Sequence, residues 1–398
     1  MSFKVLHLST YARNGGAARA AQALHRAMLK EGINSTMWTA HGNRFTVART
    51  LDRQLWRLQR SPTNTWRSPA RFGCLSAKTI NESDADVVNV HWITDGFLTI
   101  EQIARIEKPI VWSLYDMWAF CGTEHYGVDT PDARWRTGYT PENRPANESG
   151  IDIDRNAWLR KDRLWRPGHV VPASTWLAES VRASALMGQW PMTRIPHVAD
   201  THTFAPVNRA DARRAMGIPD DRPTILFLAS AGIGDPRKGF DLLELALPAV
   251  QDRHRDVQVL VAGPIHENYI SPSRVDVRFL GQLAGDEALS FAYGAADVLA
   301  VPSREDNMPL TAIEAQACGR AVVSFRIGGL PDIVEDRVTG ALAPEGDIDA
   351  LAVGLIEALA DARGRDTWGR AARIRAENTW SGQVVVNEYL EVFEQAMP

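Results

Sequence analysis

Cysteine is nearly missing from this chain: Cys74, Cys121 and Cys318 are the three thiols in 398 residues. An odd number at such wide spacing builds neither a disulfide framework nor a cysteine-based metal centre, so each is expected as a buried or half-buried thiol. Long apolar runs are missing too, and no stretch reaches bilayer-spanning length. Met1 to Ser9 enters a strand pattern without the apolar segment and small-residue cleavage site of a secretion signal, from which we expect a cytoplasmic protein. No internal repeat recurs at solenoid spacing. Neither half offers a Gly-x-Gly-x-x-Gly turn with an acidic residue about twenty positions on, which counts against a nicotinamide-dependent oxidoreductase. Asp84-Ala85-Asp86 and Asp347-Ile348-Asp349 have a D-x-D pattern, but one opens a strand and the other a helix, so both are expected as solvated caps and no metal is expected.

Net charge is also small, −4 overall, yet it is unevenly spread: residues 1–203 carry +6 and residues 204–398 carry −10. A basic first half suits an anionic or membrane-associated acceptor. What is present is an ordinary globular composition, 45% hydrophobic and 23% charged, in a chain too long for one core. Two domains and a cleft are therefore expected, with residues 1–203 and 204–378 as the domains and a helix over 379–398 packing back towards the first. Val385, Tyr389 and Val392 give that helix its apolar face.

Short β-rich runs alternate with helical patterns. Lys4 to Ser9, a helix from about Ala17 to Glu31, and strands near Met37, Val87 to His91 and Ile110 to Tyr115 make up the first half. After a loop at Pro196 to Pro206 the rhythm restarts with Thr224 to Ala229, a helix from about Phe240, and strands at Val257 to Ala262, Val277 to Leu280 and Val298 to Val301. This is α/β alternation with buried parallel strands, two doubly wound units in succession. Asp129 to Arg166 has no sustained period and is expected as a long functional loop. From Leu51 to Arg60, Leu51, Leu55 and Leu58 share one helical face and Arg53, Arg57 and Arg60 another, a basic amphipathic pattern. It fits a surface helix or a contact with an anionic membrane.

The sharpest motif runs from Pro302 to Gly319. A loop after a strand carries Asp306, and Glu314 follows eight positions later at the start of a helix, where an open α/β sheet binds ligands. Asp306 can accept protons from sugar hydroxyls, backbone amides from Asn307 through Met308 to Leu310 can meet diphosphate or sugar oxygens, Pro309 and Thr311 belong to the same donor site, and Glu314 can grip a ribose diol. A second motif, Gly232 to Leu243, lies between a strand and a helix and contains Arg237 and Lys238. A third, Tyr11 to Arg19, has Gly15 and Gly16 at a strand-to-helix turn, where backbone can approach a phosphate or sugar.

The Pro302 to Gly319 stretch resembles the E-x7-E region of family 4 retaining glycosyltransferases of the GT-B fold, with Asp306 where that family usually has its first Glu. Asp235 to Leu243 is similar to the segment whose Lys neutralises the leaving diphosphate, and Lys238 matches it. The family's Arg about five residues earlier is replaced here, leaving Arg237 as a substitute. Pro109 to Phe120 resembles a segment ending a strand at the interdomain cleft, with Tyr115 in place of the usual His, followed by Asp116 and, further on, His125. Phe279 to Leu283 resembles the loop that holds the base.

The resemblance implies two Rossmann-like domains facing each other across a cleft, and a metal-independent, retaining transfer from a nucleotide-sugar, UDP rather than GDP, to a glycan or lipid-linked acceptor. It implies Lys238 on the diphosphate, Glu314 on the ribose, Asp306 on the transferred sugar, Leu283 near the base, Gly15 and Gly16 on the donor, and Tyr115, Asp116 and His125 towards the acceptor. No cofactor and no nucleic-acid partner are expected, and peripheral contact with an anionic membrane is. The alternative is a non-catalytic nucleotide-sugar-binding partner of the same fold, for which Tyr115 in place of His is the main support.

Overall fold

The computed structural model describes residues 3–62, 66–218, 222–265, 269–360 and 362–397. The chain forms two compact units, Met1–Pro196 with Val386–Pro398, and His197–Val385. In chain order the strands are β1 (Lys4–Ser9), β2 (Asn34–Thr39), β3 (Gln59–Arg60), β4 (Val87–Val90), β5 (Ile110–Leu114), β6 (Ser149–Gly150) and β7 (His169–Pro172) in the first unit. In the second they are β8 (Thr224–Leu228), β9 (Gln258–Ala262), β10 (Asp276–Gly281), β11 (Val298–Val301), β12 (Ala321–Phe325) and β13 (Gly340–Ala343).

The first unit's main sheet has the order β2-β1-β4-β5-β7, the second's β10-β9-β8-β11-β12-β13, and every pairing within both is parallel. Strands such as β4, β9, β11 and β12 are buried along their whole length, because helices cover both faces of a parallel sheet. In each sheet the chain starts inside, steps outward one way, then crosses back and steps the other way. The reversal lies between β1 and β4 in the first unit and between β8 and β11 in the second, and such points open a crevice at the carboxyl ends of the strands.

Leu6, Leu8, Val88, Val90, Trp112, Leu114 and Val170 make the first unit's core, with Trp118, Trp135, Trp158 and Trp165 packed around them. The last helix, Gly382–Ala396, closes this unit: the Tyr389 hydroxyl is 2.9 Å from Ser113 Oγ and Phe393 meets Phe3 edge-on. Among the described residues no helix is long and apolar enough to cross a membrane. Cys121 and Cys318 are buried and Cys74 is half-buried, all as thiols. Of the D-x-D carboxylates Asp347 caps the helix Ile348–Leu359, whereas exposed Asp84 and Asp86 are not caps: Asp86 accepts from the Lys4 amide and Asp84 pairs with the Lys4 ammonium.

Two expectations need correction. The segment from Asp129 to Arg166 is not one long loop, since it contains the helices Arg134–Thr137 and Ile153–Leu164 and the strand β6. The longer helix hides its period because its buried face includes Asp154 and Lys161 beside Ile153, Ala157 and Trp158. Lys161 Nζ donates to the carbonyls of Trp118, Cys121 and Gly122, and Asp154 meets Gln59, Thr123 and Arg67. A buried charge is tolerated when it is bonded this fully.

The second correction concerns residues 51–60. The helix spans Gly42–Leu55, a short 3-10 turn follows, and Arg60 lies on β3. Arg53 does not stand with Arg57 and Arg60 on an outer face. It donates to both oxygens of the buried Asp95 at 2.7 and 2.8 Å and lies over the Trp66 ring. Asp52 is drawn inward as well, taking the amides of Ala70, Arg71 and Phe72. Val47, Leu51 and Leu58 are left exposed.

Close to Asp154, Glu124 is half-buried, with Oε2 shielded from solvent, and accepts from the Tyr139 hydroxyl. Burial, reinforced by the Asp154 charge, raises its carboxyl to about 7. A carboxyl raised from its unfolded value contributes fully below about 4.5 and loses that contribution as pH rises towards 7. We therefore expect Glu124→Gln to gain on the parent between pH 5 and pH 8 in urea denaturation of the intact chain. Parallel midpoints for the two proteins across that range would refute the assignment.

Candidate functional site

At the β8–β11 reversal the loop after β11 is pressed against the loop after β8 on one side and the loop after β12 on the other, by contacts that admit no side chain. Gly239 has φ +68, and a Cβ there would lie 2.0 Å from the Pro302 carbonyl oxygen. Gly328 has φ +50, and its Cβ would lie 1.8 Å from the Asp306 carbonyl oxygen. Arg304 completes the clamp: its amide donates to the Arg237 carbonyl at 2.8 Å, and its guanidinium to the Pro236 carbonyl and both Asp241 oxygens.

The clamp sets Lys238 Nζ 2.6 Å from Asp306 Oδ2, and Ser303 Oγ donates to the same oxygen at 3.2 Å. Lys238, Ser303, Asp306 and Thr311 line one cavity, floored by Phe227 and Ala300 of the two central strands. Asn307, Met308 and Leu310 are buried behind it. Pro309 caps the helix Leu310–Ala317, whose positive end therefore points into this loop. A fixed cation, a carboxylate and a helix N-terminus together can hold a phosphorylated polyol and stabilise charge growing on its phosphate.

Glu314 sits one turn further along that helix, 3% exposed, with Oε2 accepting from the buried Tyr293 hydroxyl at 2.8 Å. Truncating it would strip the Tyr293 hydroxyl of its acceptor, so Glu314→Gln is the cleaner variant. Arg237 turns towards Asp235, at 3.0 Å, and is half exposed. Leu283 is half-buried on the loop after β10. The remaining expected donor residues, Gly15 and Gly16, lie in the first unit. Gly15 has φ +88 just before the helix Gly16–Lys30, with open space where its Cβ would be.

The first unit has its own cavity, lined by His91, Trp92, Thr94, Tyr115 and Asp116 at the carboxyl ends of β4 and β5. Asp116 is a heavily bonded carboxylate. Its Oδ2 accepts from Trp92 Nε1 at 3.0 Å and faces His125 Nδ1 at 2.6 Å, while its Oδ1 accepts the Trp118 amide at 3.0 Å. His125 is buried, with Nε2 2.8 Å from Ser68 Oγ, and its ring stacks on Trp92, whose other neighbour is Tyr11. This geometry makes Asp116 and His125 supports of the cavity wall. Tyr115 reaches His91 Nδ1 at 2.8 Å, and burial pushes its phenol well above 10, so it stays protonated at neutral pH.

Sequence reasoning passed over His91, Ser303, Arg304 and the clamping role of Gly239. His91 directly follows a strand at a reversal point, which is a readable signal; the partners of Arg304 and Gly239 are far along the chain and leave none. Gly239→Ala is expected to destabilise the second unit by at least about 1–2 kcal/mol, the cost of a left-handed conformation for a residue with a Cβ, before the overlap with Pro302 is added. Equal unfolding midpoints for parent and variant would show that the loops give way freely.

A profile of the family described as Glycosyl transferases group 1 matches residues 222–361. The D-inositol 3-phosphate glycosyltransferase of Saccharomonospora viridis is 33% identical over 310 residues, covering 73% of this chain and 68% of that protein. A GDP-mannose-dependent monoacylated alpha-(1-6)-phosphatidylinositol monomannoside mannosyltransferase of Corynebacterium glutamicum is 30% identical over 243 residues, covering 56% of this chain and 62% of that protein. Among solved structures, Anabaena HepE in complex with UDP and glucose has the same fold, with a TM-score of 0.64 at 15% identity over 98% of this chain and 99% of that one. With two Rossmann-like units, a reversal-point site in each and this relationship in sequence, the chain belongs to the group 1 glycosyltransferases of the GT-B fold.

Proposed function

We propose that the protein is a retaining, metal-independent glycosyltransferase that moves a sugar from a UDP-sugar to a hydroxyl of a glycan or lipid-linked acceptor. The observation that carries this reading is the Lys238–Asp306 pair held at the β8–β11 reversal. Lys238 meets the diphosphate, Asp306 orients the transferred sugar through its hydroxyls, and Glu314 holds the ribose. The positive charge needed opposite the leaving group comes from Lys238 and the start of the helix at Leu310.

In the reaction the acceptor oxygen bonds to the anomeric carbon on the face from which the diphosphate departs. The bond to the phosphate oxygen breaks with its electron pair, and that oxygen takes the acceptor proton. Tyr115, protonated and bonded to His91, is unsuited to remove a proton and orients instead. The UDP in the HepE complex supports the choice of nucleotide, while the Corynebacterium relative, named for GDP-mannose, is the reason to test both. We further propose that the protein works in the cytoplasm and touches an anionic membrane through exposed Val47, Leu51 and Leu58, flanked by exposed Arg44, Arg57 and Arg60.

Four measurements test these statements. UDP at a hundred times its dissociation constant should stabilise the protein by about 2.7 kcal/mol and GDP at the same concentration by clearly less, while Glu314→Gln should lower both gains, because the ribose is common to the two nucleotides. Lys238→Ala should lower turnover of a UDP-sugar about a hundredfold or more while UDP affinity falls less than about tenfold, because the charge it meets grows as the bond breaks. Tight UDP binding without transfer across a broad screen of sugars and acceptors would favour the non-catalytic reading. Flotation with anionic liposomes should be salt-sensitive and weakened by Leu51→Ser with Arg57→Ser; binding indifferent to both salt and these changes rules out this surface.

A further inference from the structure

Three rings step across the first unit's sheet beneath its cavity. In the β1–β4 register His7 stands opposite Asn89, and Asn89 stands opposite Val111 of β5. His91 is two residues beyond Asn89 and Tyr115 four beyond Val111, so with the two-residue alternation of strands His7, His91 and Tyr115 share one face. His7 Nδ1 is 2.8 Å from His91 Nε2, and His91 Nδ1 is 2.8 Å from the Tyr115 hydroxyl. The two imidazoles stack at 5.1 Å, and the edge of His25 lies against His7.

The end of this row fixes its polarity. His7 is wholly buried, and among the described residues its Nε2 has no hydrogen-bond partner. Burial, with His91 and His25 beside it, holds the ring neutral by pushing its pKa well below 6.5. A neutral imidazole carries one N–H, which can sit on either nitrogen. On Nε2 it would be a buried donor with no acceptor, the rarer of the two possible defects. On Nδ1 it donates to His91, and what stays unpaired is a lone pair. His91 then accepts at Nε2, carries its own proton on Nδ1 and donates it to the phenol oxygen.

We propose that His7 and His91 are both neutral Nδ1–H tautomers, and that this row holds Tyr115 as an acceptor from His91 and a donor of its own proton towards the cavity it lines. His91 is thus a positioning residue, and Tyr115 a donor that orients a substrate hydroxyl oxygen and removes no proton from it. The mention of substrate rests on the glycosyltransferase reading; the proton order does not.

The test needs no substrate. In two-bond proton–nitrogen correlation spectra of the whole chain labelled with 15N-histidine, bare and protonated ring nitrogens are well separated. His91→Asn removes the His91 signals and shifts those of His7, which assigns both rings. Both should show a protonated Nδ1 and a bare Nε2; a proton on Nε2 of either ring overturns the proposal. Tyrosine labelled at Cζ, with Tyr115 assigned by Tyr115→Phe, supplies a second reading. Asparagine keeps an amide donor near the place of Nδ1, so His91→Asn should leave the Tyr115 resonance close to its parent position and His91→Leu should move it. Equal movement in the two variants would show that no donated proton reaches the phenol. If the spectra agree and the protein transfers no sugar, the glycosyltransferase reading fails and the proton order stands.

Discussion

A parallel sheet that grows from an inner strand in both directions must separate a pair of loops at its middle. One loop leaves to the left and the other to the right, and no crossover helix roofs the gap between them. In the second unit those loops follow β8 and β11; in the first they follow β1 and β4. Lys238, Ser303 and Asp306 owe their meeting to this constraint, and so do His7 and His91. Residues about seventy or eighty positions apart become neighbours without any long-range signal between them in the chain.

Topology alone would leave such loops loose. Steric exclusion supplies the precision, since at Gly239 and Gly328 backbone lies against backbone at distances no Cβ could share. Arg304 adds donors to four oxygens of Pro236, Arg237 and Asp241, although it and Asp241 are exposed and contribute little stability as an ion pair. Their effect is on position. Because the ammonium of Lys238 is already directed and partly desolvated by Asp306, an arriving anion meets a cation that needs little reorganisation.

The strands of both sheets are legible where apolar runs are unbroken, as at Ile225 to Leu228 and Val298 to Val301, and the spacing of Asp306 and Glu314 marks a site because both flank a strand-to-helix turn. Legibility ends where a buried face is polar. Ile153–Leu164 reads as loop because Asp154 and Lys161 stand where apolar residues would reveal a helix. Arg53 reads as surface charge because its partner, Asp95, is 42 residues away. His91 reads as a strand end and nothing more, since a histidine's role depends on which nitrogen faces which neighbour, and no pattern of residue types records that.

The first unit is discontinuous, with Tyr389 and Phe393 of the last helix completing a core otherwise built from residues before His197. As the chain leaves the ribosome, the sheet of the first unit must wait for a helix made much later, and Ser113 meets its partner only after 276 further residues have been added. The second unit is contiguous and can fold in one piece during that interval. Synthesis order and completion order of the two units are therefore reversed: the unit begun earlier stays open longer, and removing the segment that carries Tyr389 and Phe393 would injure that earlier unit and not the neighbouring one.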